Sequence, residues 1–324
     1  ATTLGALLMS LGLFLLIQPH LLYPALLVVA LGNGLFKPTA LAQVGLLYAE
    51  ADPRRDRAFN LYYMGMNFGA IVAPLVSGVV AALYGWTFSF LTAAVGMIVS
   101  AAIYGLGWRH LPEPRRGATS LAEADNVAPA ASHRATILVV VLVWVGAVLF
   151  WTAYSQVGST FALWAEHDVA RSIRLFGRTL VVPAAWLQSI NPIMILLAAP
   201  LVNMLWARSK APAGVRIEIR KMILGALLLG LAYLAFSAAS MAAGASHGRA
   251  GLVVVTLAFV PFTVGELYVA PVGQALFSRL ARRGYSSLLM AVWIRTMMRG
   301  YLGSGLLGAF WTRLSASAFF AGIA

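Results

Sequence analysis

Nine apolar runs of about membrane-spanning length, divided by short charged or Pro/Gly-rich segments, constrain this chain more than any other feature. They fall at about 3–18, 22–48, 57–84, 86–108, 135–165, 184–206, 218–243, 250–278 and 285–309, and a tenth opens at Ser315 and reaches Ala324. A hydrocarbon core about 30 Å thick is crossed by roughly 20 apolar residues as a helix. In lipid the backbone N–H and C=O groups must be satisfied within the segment, so such runs are read as helices. With 61% hydrophobic and 10% charged residues and a mean hydropathy of +0.84, the chain lies far from soluble domains, which carry about 25% charge. The expected fold class is an all-α polytopic membrane protein with nine spans and a partial tenth. The chain reads as an internal fragment, since it opens at Ala1 within an apolar stretch and stops within the last run.

The net charge of +13 first suggests a nucleic-acid partner, and the placement of the cations argues against one. Assigning alternate loops to alternate sides gathers fifteen Lys and Arg on one side, in the loops around Arg54–Arg57, Arg109–Arg134, Arg208–Lys221 and Arg279–Arg283. The other side holds Arg171, Arg174, Arg178, Arg249 and Arg313. Positive-inside bias puts the first group in the cytoplasm. The polar, Pro-containing stretch 109–134 is then a cytoplasmic linker between a first helical bundle, 1–108, and a second, 135–324.

Four ionisable residues fall near the middle of predicted spans: Lys37, Glu266, Arg295 and Arg299. Each carries an insertion cost of about 2.5–3.5 kcal/mol, so such groups normally face a bundle interior or an aqueous cavity. Helical spacing sets Asn33 beside Lys37, Tyr63 beside Asn67, Gln188 beside Asn191 and Arg295 beside Arg299. Buried amides also serve as interhelical hydrogen bonds, and the Gly65/Gly69 pair reads as a close helix-packing motif. The five histidines, all in or next to predicted loops, have no metal-ligand spacing; cysteine is absent, and no zinc-protease, phosphate-loop or nucleophile-elbow pattern occurs. No catalytic residues, metal site or cofactor are expected.

Gly32-Asn-Gly-Leu-Phe-Lys-Pro38, Asp52-Pro-Arg-Arg-Asp56 and Tyr62-Tyr-Met-Gly-Met-Asn-Phe-Gly69 resemble motifs of the proton-dependent oligopeptide transporters of the major facilitator superfamily. Phe150-Trp-Thr-Ala-Tyr-Ser-Gln-Val-Gly-Ser159, Trp186-Leu-Gln-Ser-Ile-Asn-Pro192, Gly265-Glu-Leu-Tyr-Val-Ala-Pro-Val-Gly273 and Trp293 continue the resemblance in the same order. It implies a two-lobed helical bundle in which the nine spans are the family's third to eleventh helices. The first two, with the E-x-x-E-R motif, and most of the twelfth would lie outside the chain.

The resemblance further implies a proton-coupled symporter that imports di- and tripeptides across a bacterial inner membrane by alternating access, driven by the proton gradient without a cofactor, as a monomer. Lys37 and Glu266 would be the proton-coupling pair and would receive the carboxyl and amino ends of the peptide. Tyr63, Asn67, Gln156, Gln188, Asn191 and Trp293 would complete the substrate site. Three departures stand out. Ser155 occupies the place of a usual glutamate that pairs with the lysine, and Arg295 and Arg299 replace small or apolar residues and form a possible anion-binding face. These motivate an alternative carrier of an anionic or modified peptide-like solute with weakened proton coupling. A non-transporting membrane sensor is a further alternative, and a membrane enzyme comes last.

Overall fold

The computed structural model describes residues 2–47, 54–107, 133–175, 177–208, 214–280 and 286–324. Each expected apolar run forms a helix. In chain order these are α1 Thr2–Leu15, α2 Leu22–Leu46, α3 Arg54–Tyr84, α4 Trp86–Gly107, α5 His133–Tyr154, α6 Thr160–His167, α7 Ile190–Arg208, α8 Val215–Ala245, α9 Leu252–Leu280, α10 Ser286–Gly308 and α11 Ala316–Ile323. Short 3₁₀ turns join α5 to α6 (Ser155–Gly158) and lead into α7 (Ala184–Ser189), so α5 and α6 together make one span. Among the described residues, seven segments are long and apolar enough to cross a membrane. Of the others, α1 has 14 residues, α11 has eight, and α10 carries Arg295 and Arg299. The helices are apolar on all sides: on α8, Leu229, Tyr233 and Phe236 are buried while Leu227, Leu231 and Leu234 are exposed, as for a helix solvated by lipid.

The chain divides into two compact units, residues 1–119 and 120–324. The linker expected over 109–134 lies outside the described residues except for 133–134, which open α5. Lys210, Arg282, Arg283 and the cations of 109–116 likewise lie outside them.

Lipid tails are as apolar as leucine, so helices in a bilayer associate through close packing and polar contacts more than through a hydrophobic drive. In unit 1 the Cβ positions of Gly5 on α1 and Gly32 on α2 lie 2.7 Å from each other's carbonyl oxygens, a distance that only glycine tolerates. Unit 2 repeats the device where α8 crosses α9, with Gly225 and Gly265 each 2.7 Å from the other's oxygen. Gly65 and Gly69, expected to pack a helix closely, do not: among the described residues nothing lies within 4 Å of either Cβ position. The motif names a spacing, and only a backbone crossing opposite it gives the spacing a packing role.

The segment after α6, expected as a plain loop, contains an antiparallel hairpin, β2 (Ser172–Leu175) with β3 (Arg178–Val181), that turns at Gly177 with φ +77°. Strand β1 (Val169–Ala170) pairs in parallel with β4 (Ala250–Gly251). That pairing places Arg171 and Arg249 at one end of unit 2, as alternating spans require. At the opposite end Arg279 of α9 forms a 3.1 Å ion pair with Glu218 of α8. Arg171 fastens the hairpin by donating to the Val182 carbonyl at 2.8 Å and pairing with Glu166 at 3.1 Å. The core of unit 2 is aromatic: Phe161, Trp164, Tyr233, Phe236, Phe259, Phe262 and Phe320 are fully buried and in mutual ring contact.

Because the α8–α9 crossing has no room for a side chain, Gly225→Val is expected to destabilise the purified protein by about 1–3 kcal/mol. Gly244→Ala, with open space around it, is expected to be neutral or slightly stabilising. Thermal unfolding in detergent checks both.

Candidate functional site

Irregular backbone in three elements of unit 2 converges on one carboxylate. Tyr154 is the last residue of α5 before the 3₁₀ turn, where Gly158 and Ser159 interrupt the helix. Asn191 stands at the second position of α7, directly after the 3₁₀ stretch Ala184–Ser189, and Pro192 is accommodated in the first helical turn. Thr263 and Glu266 lie on α9 between Pro261 and Pro271. Broken or proline-bearing helices at membrane depth are typical of polar sites that neighbouring side chains satisfy.

The carboxamide of Asn191 is the hub. Its Nδ2 donates to the Tyr154 hydroxyl at 2.8 Å and to Glu266 Oε2 at 3.0 Å, and its Oδ1 accepts from Thr263 Oγ1 at 2.6 Å. Tyr154 is held by rings on several sides: Phe262 stacks on it at 4.9 Å, Trp151 meets it edge-on at 5.2 Å, and Phe150 stacks at 6.1 Å. Thr263 is fully buried and Asn191 nearly so.

The other expected site residues of unit 2 have their own partners. Gln156 is fully buried: its Nε2 donates to the Ser304 carbonyl at 2.8 Å, and its Oε1 accepts from Thr160 at 2.9 Å and Ser159 at 3.2 Å. It fills the gap left by the α5–α6 break and ties that break to α10. Gln188 donates to the Val157 carbonyl at 2.7 Å. Trp293 is buried, in ring contact with Phe277 at 5.3 Å and lying flat over Gly273, whose Cβ position falls 2.0 Å from the indole. Ser155, in the place of the usual glutamate, donates to the Trp151 carbonyl at 2.6 Å, one turn back along its own helix. The α5 side chain linked to Glu266 is therefore residue 154, through the Asn191 amide that both share.

Arg295 and Arg299 are exposed on α10, whereas Trp293, Thr296 and Gly300 are buried. At about 100° per residue, Tyr301, whose phenol lies near Glu266, is roughly 120–160° around the helix from the two arginines. The arginines share a face with each other and not with the Glu266 cluster.

In unit 1, Lys37 is exposed on α2 and has no ion-pair partner among the described residues. Asn33, one turn earlier, has a buried Oδ1 with no hydrogen-bond partner among the described residues. Asn67 is buried on α3 and donates to the Tyr63 carbonyl at 2.9 Å, while the Tyr63 side chain is half exposed. The expected i, i+4 neighbours thus meet through the backbone of one helix.

The POT family profile matches residues 1–135 and 126–320. This chain belongs to the POT family. It is 28% identical over 352 residues to the di-/tripeptide transporter of Lactococcus lactis subsp. cremoris, an alignment covering 90% of this chain and 70% of that relative. The peptide transporter YePEPT of Yersinia enterocolitica is also 28% identical, over 363 residues, with 93% and 70% covered. Among solved structures, a POT family transporter in complex with 5-aminolevulinic acid superposes with a TM-score of 0.83 at 24% identity, over 99% of this chain and 77% of that one. The chain is a multi-pass membrane protein with the all-α fold of POT transporters, a family of carriers and not of enzymes.

Thr263 and Tyr154 were absent from the sequence-based site. Thr263 stands one helical turn before Glu266, so the spacing used to pair Gln188 with Asn191 would also have found it. Tyr154 carries no such signal, because its reach depends on where α5 breaks. Gln156→Leu is expected to lower stability by about 1–3 kcal/mol, since it leaves buried hydroxyls and a carbonyl without partners. Thermal unfolding of the purified variant checks this.

Proposed function

We propose that this POT family chain belongs to a proton-coupled importer of di- and tripeptides in a bacterial inner membrane, with residues 109–134 on the cytoplasmic side. The observation that carries the reading is the Glu266 carboxylate, held within α9 by Asn191, which also holds Tyr154, in a chain whose relatives include named di-/tripeptide and peptide transporters. A zwitterionic peptide needs an anion for its amino end and a cation for its carboxyl end. Glu266 offers the first and the exposed Lys37 the second. Asn67 and Asn191 carry amide groups suited to a peptide backbone, and Tyr63, Gln156, Gln188 and Trp293 complete the substrate-site residues of this reading. Alternating access moves the two lobes around a midplane site, and the inward proton gradient drives uptake through Glu266 and Lys37. A single copy of the chain is the working unit in this reading.

A second reading rests on Arg295 and Arg299, two exposed cations one turn apart within a membrane helix. They would favour an anionic or modified peptide-like solute with weaker proton coupling. Their separation around α10 from Tyr301 makes the peptide reading the better supported one.

In liposomes holding the full-length protein, an inward proton gradient is expected to drive accumulation of labelled dialanine. Glu266→Gln and Lys37→Ala are each expected to reduce that accumulation at least about tenfold, the scale of one lost charge-assisted contact. Counterflow without accumulation would indicate a facilitator, and solute binding without counterflow a sensor. Competition by anionic solutes alone, with dialanine not moved, would favour the second reading.

A further inference from the structure

One turn of α2 holds three polar groups that are each incomplete alone. Lys37 is an exposed cation with no ion-pair partner among the described residues. One turn before it, Asn33 has a buried Oδ1 that no donor reaches among the described residues. Between them Gly34 carries a carbonyl without the usual i+4 donor, because residue 38 is proline and has no N–H. At about 100° per residue, Asn33 lies roughly 40° to one side of Lys37 around the helix and Gly34 roughly 60° to the other. Helical side chains lean back toward the N-terminal turn, so a lysine at 37 reaches over the turn that carries both acceptors. Nothing among the described residues lies within 4 Å of the Gly34 Cβ position, and the missing side chain leaves that path open.

We propose that Asn33, together with the Gly34 carbonyl, seats the Lys37 ammonium and is thereby the positioning residue for the cation that receives the carboxyl end of the peptide. The inference rests on the peptide reading above, which names Lys37, and adds the residue that aims it. An ammonium has three N–H donors and no acceptor. Two of them on Asn33 Oδ1 and the Gly34 carbonyl leave the third for a ligand, and they satisfy two acceptors that are costly to leave bare in a membrane helix. Both acceptors are neutral, so the seated cation keeps its whole charge for an incoming carboxylate. An acidic side chain in the place of Asn33 would take that charge itself. A lysine without a seat loses rotamer freedom when it meets the ligand, and a seat that has already ordered it removes that cost. Asn33 touches no ligand; it acts through Lys37. The structure records the unseated arrangement, with the acceptor buried and the cation exposed.

Replacing Asn33 by Leu keeps the size and removes the acceptor. In the purified full-length protein, Asn33→Leu is expected to raise the Kd for dialanine about tenfold, the scale of one charge-assisted contact. The affinity for dialanine amide, whose carboxyl end carries no charge, is expected to stay within about twofold, so the preference for dialanine over its amide falls by a similar factor. In a Lys37→Ala background, Asn33→Leu is expected to change neither affinity beyond about twofold, since no ammonium is left to position. An unchanged preference in Asn33→Leu overturns the proposal. An equal loss for dialanine and its amide, or a loss that persists without Lys37, also overturns it and leaves Asn33 a structural residue. Should Asn33→Leu fail to fold, Asn33→Asp, which sets an anion beside the ammonium, must show the same loss of preference, and an unchanged preference there overturns the proposal equally. If the original protein binds no dialanine, the peptide reading falls and this inference falls with it; if Lys37→Ala keeps the preference for the free carboxylate, Lys37 leaves that reading and the inference again falls. If Lys37→Ala loses the preference and Asn33→Leu keeps it, only this inference falls.

Discussion

A carboxylate within a membrane-spanning helix must be given donors by its neighbours, and in unit 2 three helices are shaped by that demand. The α5 helix ends at Tyr154, α7 begins at Asn191 after a 3₁₀ stretch, and α9 places Thr263 one turn before Glu266. Each irregularity would be costly in lipid if its polar groups were left bare. Together they are satisfied by one another, and the α5–α6 break is closed by Gln156 from within.

Packing supplies the complementary constraint. Membrane helices gain little from hiding leucine from lipid, so contact quality decides where they cross. The Gly5–Gly32 and Gly225–Gly265 contacts fix one crossing in each unit at backbone distance. In unit 2 this crossing lies beside Glu266, so the glycine that lets α9 approach α8 immediately precedes the residue that carries the charge. The aromatic cluster of Phe161, Trp164, Phe236 and Phe320 then fills the end of the unit where the hairpin is fastened.

The helices were legible in the sequence because run length and charge placement are physical requirements of a bilayer, and every expected span has a helix. Glu266 and Asn191 were legible as polar residues too costly to bury without a purpose. What escaped the sequence depends on backbone irregularity: the reach of Tyr154 follows from the break after it, and the hairpin after α6 reads as polar loop until its register is seen. Gly65 and Gly69 have a spacing that suits close packing, but among the described residues no helix lies opposite them. Arg295 and Arg299 were correctly grouped as one face, but periodicity alone does not say which neighbouring residues share that face.

The α8 helix has 31 residues, about 46 Å at 1.5 Å per residue, against a hydrocarbon core of about 30 Å. Such a helix meets the bilayer by tilting, and its tilt follows bilayer thickness. At Gly225 it is locked to Gly265 of α9 without slack, and Gly265 directly precedes the half-buried Glu266. Lipid chain length therefore acts on Glu266 through a rigid lever: a thinner or thicker membrane that reorients α8 has to carry the charge with it, or strain the hydrogen bond that holds it to Asn191.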